Sequence, residues 1–210
     1  MKRRTKIIVG VALATAGAVA AFALRTNNVT YDTPKYEVTE RTGDIEIRQY
    51  APYIVAETIV DGDAGDAGNQ GFRILASYIF GGNQPAEKIA MTAPVNQAPK
   101  RIAMTAPVTQ DARGERFAVQ FMMPSEYRLE DLPKPNDARV TFREMPGRRL
   151  AAVRYSGTWS TKNYEANLAK LYSHLKARGF EPKGEPIWAR YDPPFKPWFL
   201  RRNEILTEYE

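Results

Sequence analysis

The chain has 210 residues, of which 43% are apolar, 26% are charged and 11% are aromatic, and it contains no cysteine and one histidine. This composition is typical of an ordered globular domain and excludes a chain that is disordered over most of its length. The lack of cysteine excludes thiol catalysis, disulfides, lipid attachment through cysteine and zinc sites built from cysteine and histidine.

The N-terminus combines positive charge with a long apolar run. Four of the first six residues are cations, 18 uncharged residues follow from Ile7 to Leu24, and Arg25 ends the segment. As a helix the run would be about 27 Å long, close to the thickness of a bilayer core. We expect residues 1–25 to be an uncleaved membrane anchor. A cleaved signal peptide is the alternative, because small residues at positions 18 and 20, or 21 and 23, permit cleavage.

Outside this segment the charges nearly balance, with 25 basic and 24 acidic residues. The pI of about 9.5 therefore reflects the N-terminal segment, and we do not expect nucleic-acid binding. Cations ahead of the apolar run favour the cytoplasmic side. The rest of the chain should then lie on the periplasmic or extracytoplasmic side, or be secreted if the segment is cleaved.

A polar linker is predicted over residues 26–34, and the folded domain over residues 35–210. Alternation of apolar and polar residues predicts strands in "YEVTERTGDIEIRQYAPYIVAETIV". The next stretch, "DGDAGDAGNQG", is predicted to be a solvated loop, because its carboxylates lack the spacing of a calcium-binding hand. A short amphipathic helix follows, ended by Gly81 and Gly82; its expected buried residues are Phe72, Leu75, Ala76, Ile79 and Phe80, and its other side carries Arg73, Ser77 and Tyr78.

One phrase then occurs twice, as "KIAMTAPV" over residues 88–95 and "RIAMTAPV" over residues 101–108. We predict two strands here, joined through "NQAPK", with Met91 or Met104 pointing inward, and a third strand at "RFAVQFMMP". The second copy either enlarges a groove or serves packing alone, and packing is the favoured interpretation.

The second half of the chain repeats this order. A strand pair is predicted around Pro146–Gly147, a helix over residues 161–178, and strands around "PIWARYD" and "RRNEILTEY". The buried stripe of the helix should be Tyr164, Leu168, Leu171 and Leu175. Two halves with the order strand, strand, helix, strand, strand predict an internally duplicated α+β fold.

Candidates for catalysis are few, so we expect a binding protein rather than an enzyme. The sequence has no G-x-S-x-G, P-loop or dinucleotide motif. His174 lies on a flank of the second helix and is either an ordinary boundary histidine, which we favour, or a ligand. The segment "YDPPFKPWFLRRNE" is more informative, because its prolines stiffen a loop that would present Phe195, Lys196 and Trp198 as the rim of a site.

The motifs "KIAMTAPV", "IEIRQYAPYIVAET" and "YDPPFKPWFLRRNE" resemble the SOUL heme-binding protein family over residues 35–210. The resemblance implies a pseudo-twofold, distorted antiparallel β-barrel with two helices outside it. It also implies non-covalent binding of heme or another porphyrin in a shallow groove between the first helix and the loop before the last strand.

Family positions can be transferred one at a time. Lys196 matches the lysine that pairs with a propionate, and Arg73, Ser77 and Tyr78 fall on the heme-facing positions of the first helix. Phe195, Met91 and Met104 complete the expected contacts. The place of a proposed axial histidine is taken by Gln49, a poor iron ligand. Iron is then bound weakly or not at all through an axial position, or His174, Tyr78 or a methionine serves; we favour the first and predict no metal-ligating residue.

We therefore expect a monomeric, reversible heme carrier or scavenger tethered to a membrane. Two alternatives stay open. The fold resembles gyrase-inhibitor-like domains, which bind aromatic or cationic molecules through a buried carboxylate, here Glu185 or Glu204. The other is a membrane-tethered interaction protein without a ligand.

Overall fold

Nine strands form one antiparallel sheet in the part of the chain that the computed structural model describes, residues 31–84 and 100–210. Eleven strands occur in these residues: β1 (Tyr36–Thr42), β2 (Ile45–Tyr50), β3 (Tyr53–Asp61), β4 (Asn83–Gln84), β5 (Val108–Arg113), β6 (Arg116–Met122), β7 (Lys134–Pro135), β8 (Thr141–Met145), β9 (Arg148–Tyr155), β10 (Pro182–Arg190) and β11 (Asn203–Tyr209). All belong to the sheet except β4 and β7, which pair with each other. The predicted N-terminal helix and the first copy of the repeated phrase, with Met91, lie outside the described residues.

The strand order supports the predicted duplication. It runs β1-β2-β9-β11-β10-β5-β6-β3-β8. Strands β2, β3, β5 and β6 of the first half correspond in turn to β8, β9, β10 and β11 of the second half. When each strand is replaced by its counterpart, the order after β1 becomes the same order read backwards. The sheet is a curled half-barrel whose edge strands β1 and β8 do not pair with each other, so the fold is more open than the barrel expected from the sequence.

Both helices pack on the same face of this sheet. Helix α1 covers Ala64–Ile79 and α2 covers Thr161–Ala177. Trp188 on β10 packs with the core of α2, and its register partner Gln110 on β5 donates to the carbonyl of Ala64 in α1 at 2.8 Å. Because directly paired residues point to the same side of a sheet, the two helices share one face.

Helix α1 begins eight residues before the predicted position, so the expected loop at "DGDAGDAGNQG" is wrong. The carboxylate of Asp63 accepts from the amides of Gly65 at 2.8 Å and Asp66 at 3.0 Å, which caps the helix. Gly71 then allows a close approach to the sheet, since a Cβ there would lie 2.5 Å from Val119. Glycine, which weakens an isolated helix, is required here by packing.

The earlier start also rotates the buried stripe of α1. The buried residues are Ala67, Gly68, Gly71, Ile74, Leu75, Tyr78 and Ile79. Phe72 and Phe80, predicted to be buried, are 40% and 61% exposed, and Tyr78, predicted on the other side, is 1% exposed. The exposed side is therefore centred on Phe72, Arg73 and Ser77.

Helix α2 matches its prediction. The Ser160 hydroxyl accepts from the Asn163 amide at 3.3 Å, and Gly179 has a φ of 78° after the last turn. Tyr164, Leu171 and Leu175 are buried, with Leu168 partly buried beside them. No helix within residues 31–84 and 100–210 has the length and apolarity needed to span a bilayer.

The second copy of the repeated phrase does not form the predicted strand. Its amides donate hydrogen bonds to different segments instead of to one neighbouring strand. The amide of Ile102 donates to the carbonyl of Ile79 at 2.9 Å, and the amide of Ala106 donates to the carbonyl of Asp32 at 3.0 Å. Strand β5 begins only at Val108, the last residue of the copy. Met104 is half-buried against the core of α1. The segment thus fastens the end of α1, which agrees with a packing role for this copy.

Candidate functional site

The loop over residues 191–202 joins β10 to β11 and is held in one shape by its own backbone. The amide of Lys196 donates to Pro193 at 3.1 Å, and the amide of Leu200 donates to Pro197 at 2.9 Å. Arg201 Nε donates to the carbonyl of Lys196 at 2.8 Å, and the same guanidinium also donates to the carbonyl of Pro194. Proline and these bonds together restrict the loop before any ligand arrives.

This loop exposes four large apolar side chains. Phe195 is 81% exposed, Trp198 56%, Phe199 58% and Leu200 49%. Isolated exposed apolar residues are common on protein surfaces. Four within six positions of one loop, with the rings of Trp198 and Phe199 5.5 Å apart, form an apolar patch of the kind found at binding surfaces.

The side chain of Lys196 is held by an ion pair and is less exposed than its position in the sequence suggested. Its ammonium donates to Asp192 Oδ1 at 2.7 Å, and 25% of its side chain is exposed, whereas the sequence predicted an exposed lysine. The second oxygen of Asp192 accepts from the Arg202 amide at 2.6 Å. The charge of Lys196 is therefore fixed at the base of the apolar patch.

Arg202 links the loop to a buried ion network on the sheet face away from the helices. Its guanidinium donates to Glu204 at 2.7 and 3.0 Å. Arg48, on β2, donates two further hydrogen bonds to Glu204, at 2.6 and 3.0 Å. Tyr191 also donates to Glu204, at 3.0 Å, and Tyr36 stacks on Arg48 at 4.4 Å.

Both central charges of this network stay ionised although they are buried. Burial raises the pKa of Glu204, but hydrogen bonds and attraction from Arg48 and Arg202 outweigh it, so the net pKa is lowered. Burial likewise lowers the pKa of Arg48, and its bonds to Glu204 raise it by more. Glu204 is thus neutralised by two arginines of the chain itself.

The exposed side of α1 carries two of the three residues predicted there. Arg73 lines an open cavity of about 390 Å³ with Asp66, Gln70 and Ile74, and Ser77 is exposed one turn further along the helix. Tyr78 instead donates its hydroxyl to the carbonyl of Pro133 at 3.0 Å inside the core. Because that side chain is buried, it is not part of the surface shared by Arg73 and Ser77.

Arg190 and Trp159, which the sequence did not indicate, lie between α1 and the loop. The guanidinium of Arg190 is 4.9 Å from the centre of the Trp159 ring, and that of Arg201 is 4.6 Å from the same ring. A Cβ on Gly68 of α1 would lie 2.8 Å from Arg190 Nη1. This chain of contacts connects the two parts of the predicted groove. Only the position of Arg190 within the predicted strand "PIWARYD" could have suggested it.

Gln49, at the place of the family's axial histidine, and His174, an alternative iron ligand, are placed differently. Gln49 pairs with Arg149 on β9, whereas the residue next to the loop, Asn203, pairs with Tyr155. Six residues of a strand separate these positions by about 20 Å, so Gln49 does not lie at the loop. His174 is half-buried on α2. Within the described residues no three His, Cys, Asp or Glu side chains are grouped as a metal site.

The residues at the loop and α1 fit an amphipathic, anionic tetrapyrrole. The exposed rings at 195, 198 and 199 suit the face of a macrocycle, and cations at 73, 190, 196 and 201 suit its carboxylates. Met104, also expected as a contact, is half-buried against the core of α1.

Known proteins resemble the chain in sequence and in fold. It is 28% identical to heme-binding protein 2 of Homo sapiens, over 85% of this chain and 90% of the relative, and 29% identical to heme-binding protein 1 of Xenopus laevis, over 76% and 80%. Among solved structures, the EcmrR C-terminal domain aligns with a TM-score of 0.52 at 13% identity, covering 83% of this chain and 98% of that domain. A Listeria innocua protein described as a hydrolase aligns at 0.53 with 11% identity, covering 82% and 94%.

At such identities the two structures show only that the fold is shared. The sequence profile of the SOUL heme-binding protein, in contrast, matches residues 31–208. That match covers nearly the whole described unit and both ends of the predicted groove. The chain therefore belongs to the SOUL heme-binding protein family.

Proposed function

We propose that the chain binds heme or a related porphyrin reversibly and non-covalently between α1 and the 191–202 loop. The observation that carries the proposal is the rigid apolar patch of that loop beside the fixed ammonium of Lys196. Covering a half-exposed aromatic side chain contributes on the order of 1 kcal/mol. Since the loop is already ordered, little of this gain is lost to immobilisation.

Charge supplies the second part of the affinity. Lys196 would pair with one propionate, with Asp192 as the group it must partly leave. Arg73 is a candidate for the other propionate and Ser77 for a further polar contact, because both are exposed on α1. Phe195 would cover the macrocycle edge.

The proposal includes no strong axial ligand. Gln49 lies about 20 Å from the loop along β9 by strand geometry, and a glutamine binds heme iron poorly. Affinity would then depend on the macrocycle and its carboxylates, which suits a carrier or scavenger that releases its ligand. We propose no catalytic activity.

The location of the protein is a separate part of the proposal. Residues 1–25 would anchor it to a membrane with the domain on the periplasmic or extracytoplasmic side, or direct its secretion if cleaved. The near balance of charge beyond that segment supports a monomer that does not bind nucleic acid.

A titration of the full-length protein with hemin, followed by Soret absorbance and tryptophan quenching, tests the binding site. Trp198→Ser with Phe199→Ser should weaken binding at least tenfold, by roughly 1.4 kcal/mol or more. Leu129→Ser is the matched control, because Leu129 is 42% exposed on a turn outside both α1 and the loop. Equal affinities for the control and the loop variant would contradict the proposed site.

Iron-free porphyrin gives a second measurement. Without a strong axial ligand it should bind about as tightly as hemin, and His174→Ala should leave both affinities unchanged. A large preference for hemin that disappears in His174→Ala would instead make His174 an iron ligand.

A cation-binding function gains no support from Glu204. A cationic ligand would need a carboxylate without a counterion. The carboxylate of Glu204 already accepts hydrogen bonds from the guanidinium groups of Arg48 and Arg202. Glu185, the other candidate, is exposed on β10.

A further inference from the structure

Arg190 and Arg48 are both enclosed arginines, but among the described residues Arg190 has no acidic partner. Arg48 is 2% exposed and bonds to both oxygens of Glu204. The side chain of Arg190 is also largely enclosed, yet within residues 31–84 and 100–210 it forms no hydrogen bond or ion pair. Burial lowers its pKa, opposed only by attraction from Tyr155.

Aromatic rings hold the Arg190 guanidinium in place. It lies 4.9 Å from the centre of the Trp159 ring and 5.9 Å from that of Trp188. Trp188 is itself held by Tyr164, with ring centres 4.0 Å apart. Such stacking favours a cation but leaves the in-plane N–H donors of the guanidinium for another partner.

Arg201 brings a second cation to the same ring. Its guanidinium is 4.6 Å from the centre of Trp159, and its bonds go to the backbone carbonyls of Lys196 and Pro194. Two positive charges thus share one indole, and within the described ranges neither forms an ion pair with a carboxylate. Placing like charges together in a partly enclosed site is unfavourable unless an anion joins them.

The space beside Arg190 is small and lined by aromatic side chains. A cavity of about 10 Å³ is bounded by Tyr155, Trp159, Tyr164, Trp188, Ala189 and Arg190. That volume is about the minimum for a single water-sized group. One carboxylate oxygen matches it, whereas a ring does not.

We propose that Arg190 and Arg201, positioned by Trp159, form the subsite for the second carboxylate of the ligand, in place of Arg73 and separate from the one that Lys196 would bind. The inference rests on the proposed function, because the ligand is taken to be an anionic porphyrin. With two carboxylate positions, the site selects dicarboxylic tetrapyrroles over esters and monoacids.

The test compares protoporphyrin IX with its dimethyl ester on the full-length protein. Arg190→Met keeps the stacked side chain but removes its charge and donors, so affinity for the diacid should fall roughly tenfold and affinity for the ester should not change. Arg190→Lys keeps the charge and should recover part of the loss. The matched control is Arg149→Met, because Arg149 also stacks on an aromatic ring, that of Tyr209 at 5.3 Å, but lies toward the opposite end of β9.

The results distinguish failure of the carboxylate subsite from failure of the proposed porphyrin binding. If wild type binds the diacid and Arg190→Met binds it equally well, the subsite is wrong and the proposed function stands. If Arg190→Met weakens the ester as much as the diacid, Arg190 acts through packing and the subsite is again wrong. If wild type binds neither porphyrin, the proposed function fails and the subsite with it. Thermal unfolding of each variant identifies loss of fold.

Discussion

The ammonium of Lys196 already has a partner in Asp192, so a ligand carboxylate must compete with that carboxylate. The competition moderates the gain from each propionate, which is consistent with reversible binding. It also keeps Lys196 in place without a ligand, and Asp192 retains the Arg202 amide if the lysine swings away.

Lys196→Ala should weaken porphyrin binding by roughly tenfold, because a charge-assisted hydrogen bond at a partly desolvated rim is lost. Stability should change by less than about 1 kcal/mol, since partly exposed ion pairs contribute little. Fluorescence titration at low and high salt checks this, with wild type losing more affinity to salt than the variant. Porphyrin dimethyl ester should bind both proteins alike; if it distinguishes them as the free acid does, Lys196 acts by packing the loop.

Glu204 is the residue on which acid stability should depend. Its folded pKa lies below the ordinary value of 4.5, so its ion network stabilises the fold fully above that value and is lost as the pH falls through the lower folded pKa. Arg48 pairs with two carboxylates of the described residues, Glu204 at 2.6 Å and Glu46 at 2.8 Å. Glu204→Gln removes the fully buried one and should cost about 3 kcal/mol near neutral pH.

Denaturant unfolding from pH 7 to pH 3 measures both effects. Wild type should lose stability over the acidic range, and Glu204→Gln should lose less of its own. Glu208→Gln is the control, because Glu208 pairs with Arg148 and is 42% exposed; it should change stability by under about 1 kcal/mol. Equal stability of wild type and Glu204→Gln at neutral pH would show that the network does not hold β2 to β11.

At the scale of elements, α1 shows how packing overrides local propensity. Gly71→Ala raises helix propensity by about 1 kcal/mol, but its Cβ would lie 2.5 Å from Val119 on β6. We expect a net destabilisation of about 1–3 kcal/mol from overpacking, measured by thermal and denaturant unfolding. Gly65→Ala, whose Cβ would be 3.3 Å from a carboxylate oxygen of Asp63, should be nearly neutral. A stable Gly71→Ala would mean that α1 can move off the sheet.

The same element marks the limit of prediction from sequence. Strands β2, β3, β9 and β11 and helix α2 follow their apolar periodicity and were predictable. The first two turns of α1 were not, because glycine and aspartate are typical of loops and the requirement for glycine at 71 depends on a contact with β6. The second copy of the repeated phrase failed as a strand because each amide finds a different partner.

Some features of the candidate site were likewise predictable from the sequence, and others were not. The loop was visible in its prolines and aromatic residues, since these are local features. The pairing of Lys196 with Asp192, the burial of Tyr78 and the meeting of Arg190, Arg201 and Trp159 depend on how β10, β11 and α1 come together. No spacing within one segment encodes them.

At the scale of the molecule, the order of strands and helices repeats but the two halves are used differently. The α1 half supplies an exposed helix side with Arg73, while the α2 half supplies the loop and Trp159. The proposed groove would therefore lie where the halves meet, next to the β5–β10 pair at the centre of the symmetric order. A ligand there contacts both halves and should stabilise their association.

Removal of residues 1–25 should leave a soluble monomer. The longest apolar run of the sequence lies in that segment, and the remainder has nearly balanced charge, with 25 basic and 24 acidic residues. Sedimentation or light scattering of the truncated chain without detergent checks the mass. Aggregation that only detergent reverses would show that the exposed loop patch, rather than the N-terminus, governs association.

The full chain should remain in the membrane fraction after alkaline carbonate washing. The 18 uncharged residues from Ile7 to Leu24 are enough for a helix of about 27 Å, and the four cations before them favour a cytoplasmic N-terminus. Protease added from the extracytoplasmic side should then degrade the domain while the membrane is intact, and the chain lacking residues 1–25 should be washed off. A mature form beginning near Ala21 or Leu24 would instead identify a cleaved signal peptide, and protection of the domain in intact cells would reverse the orientation.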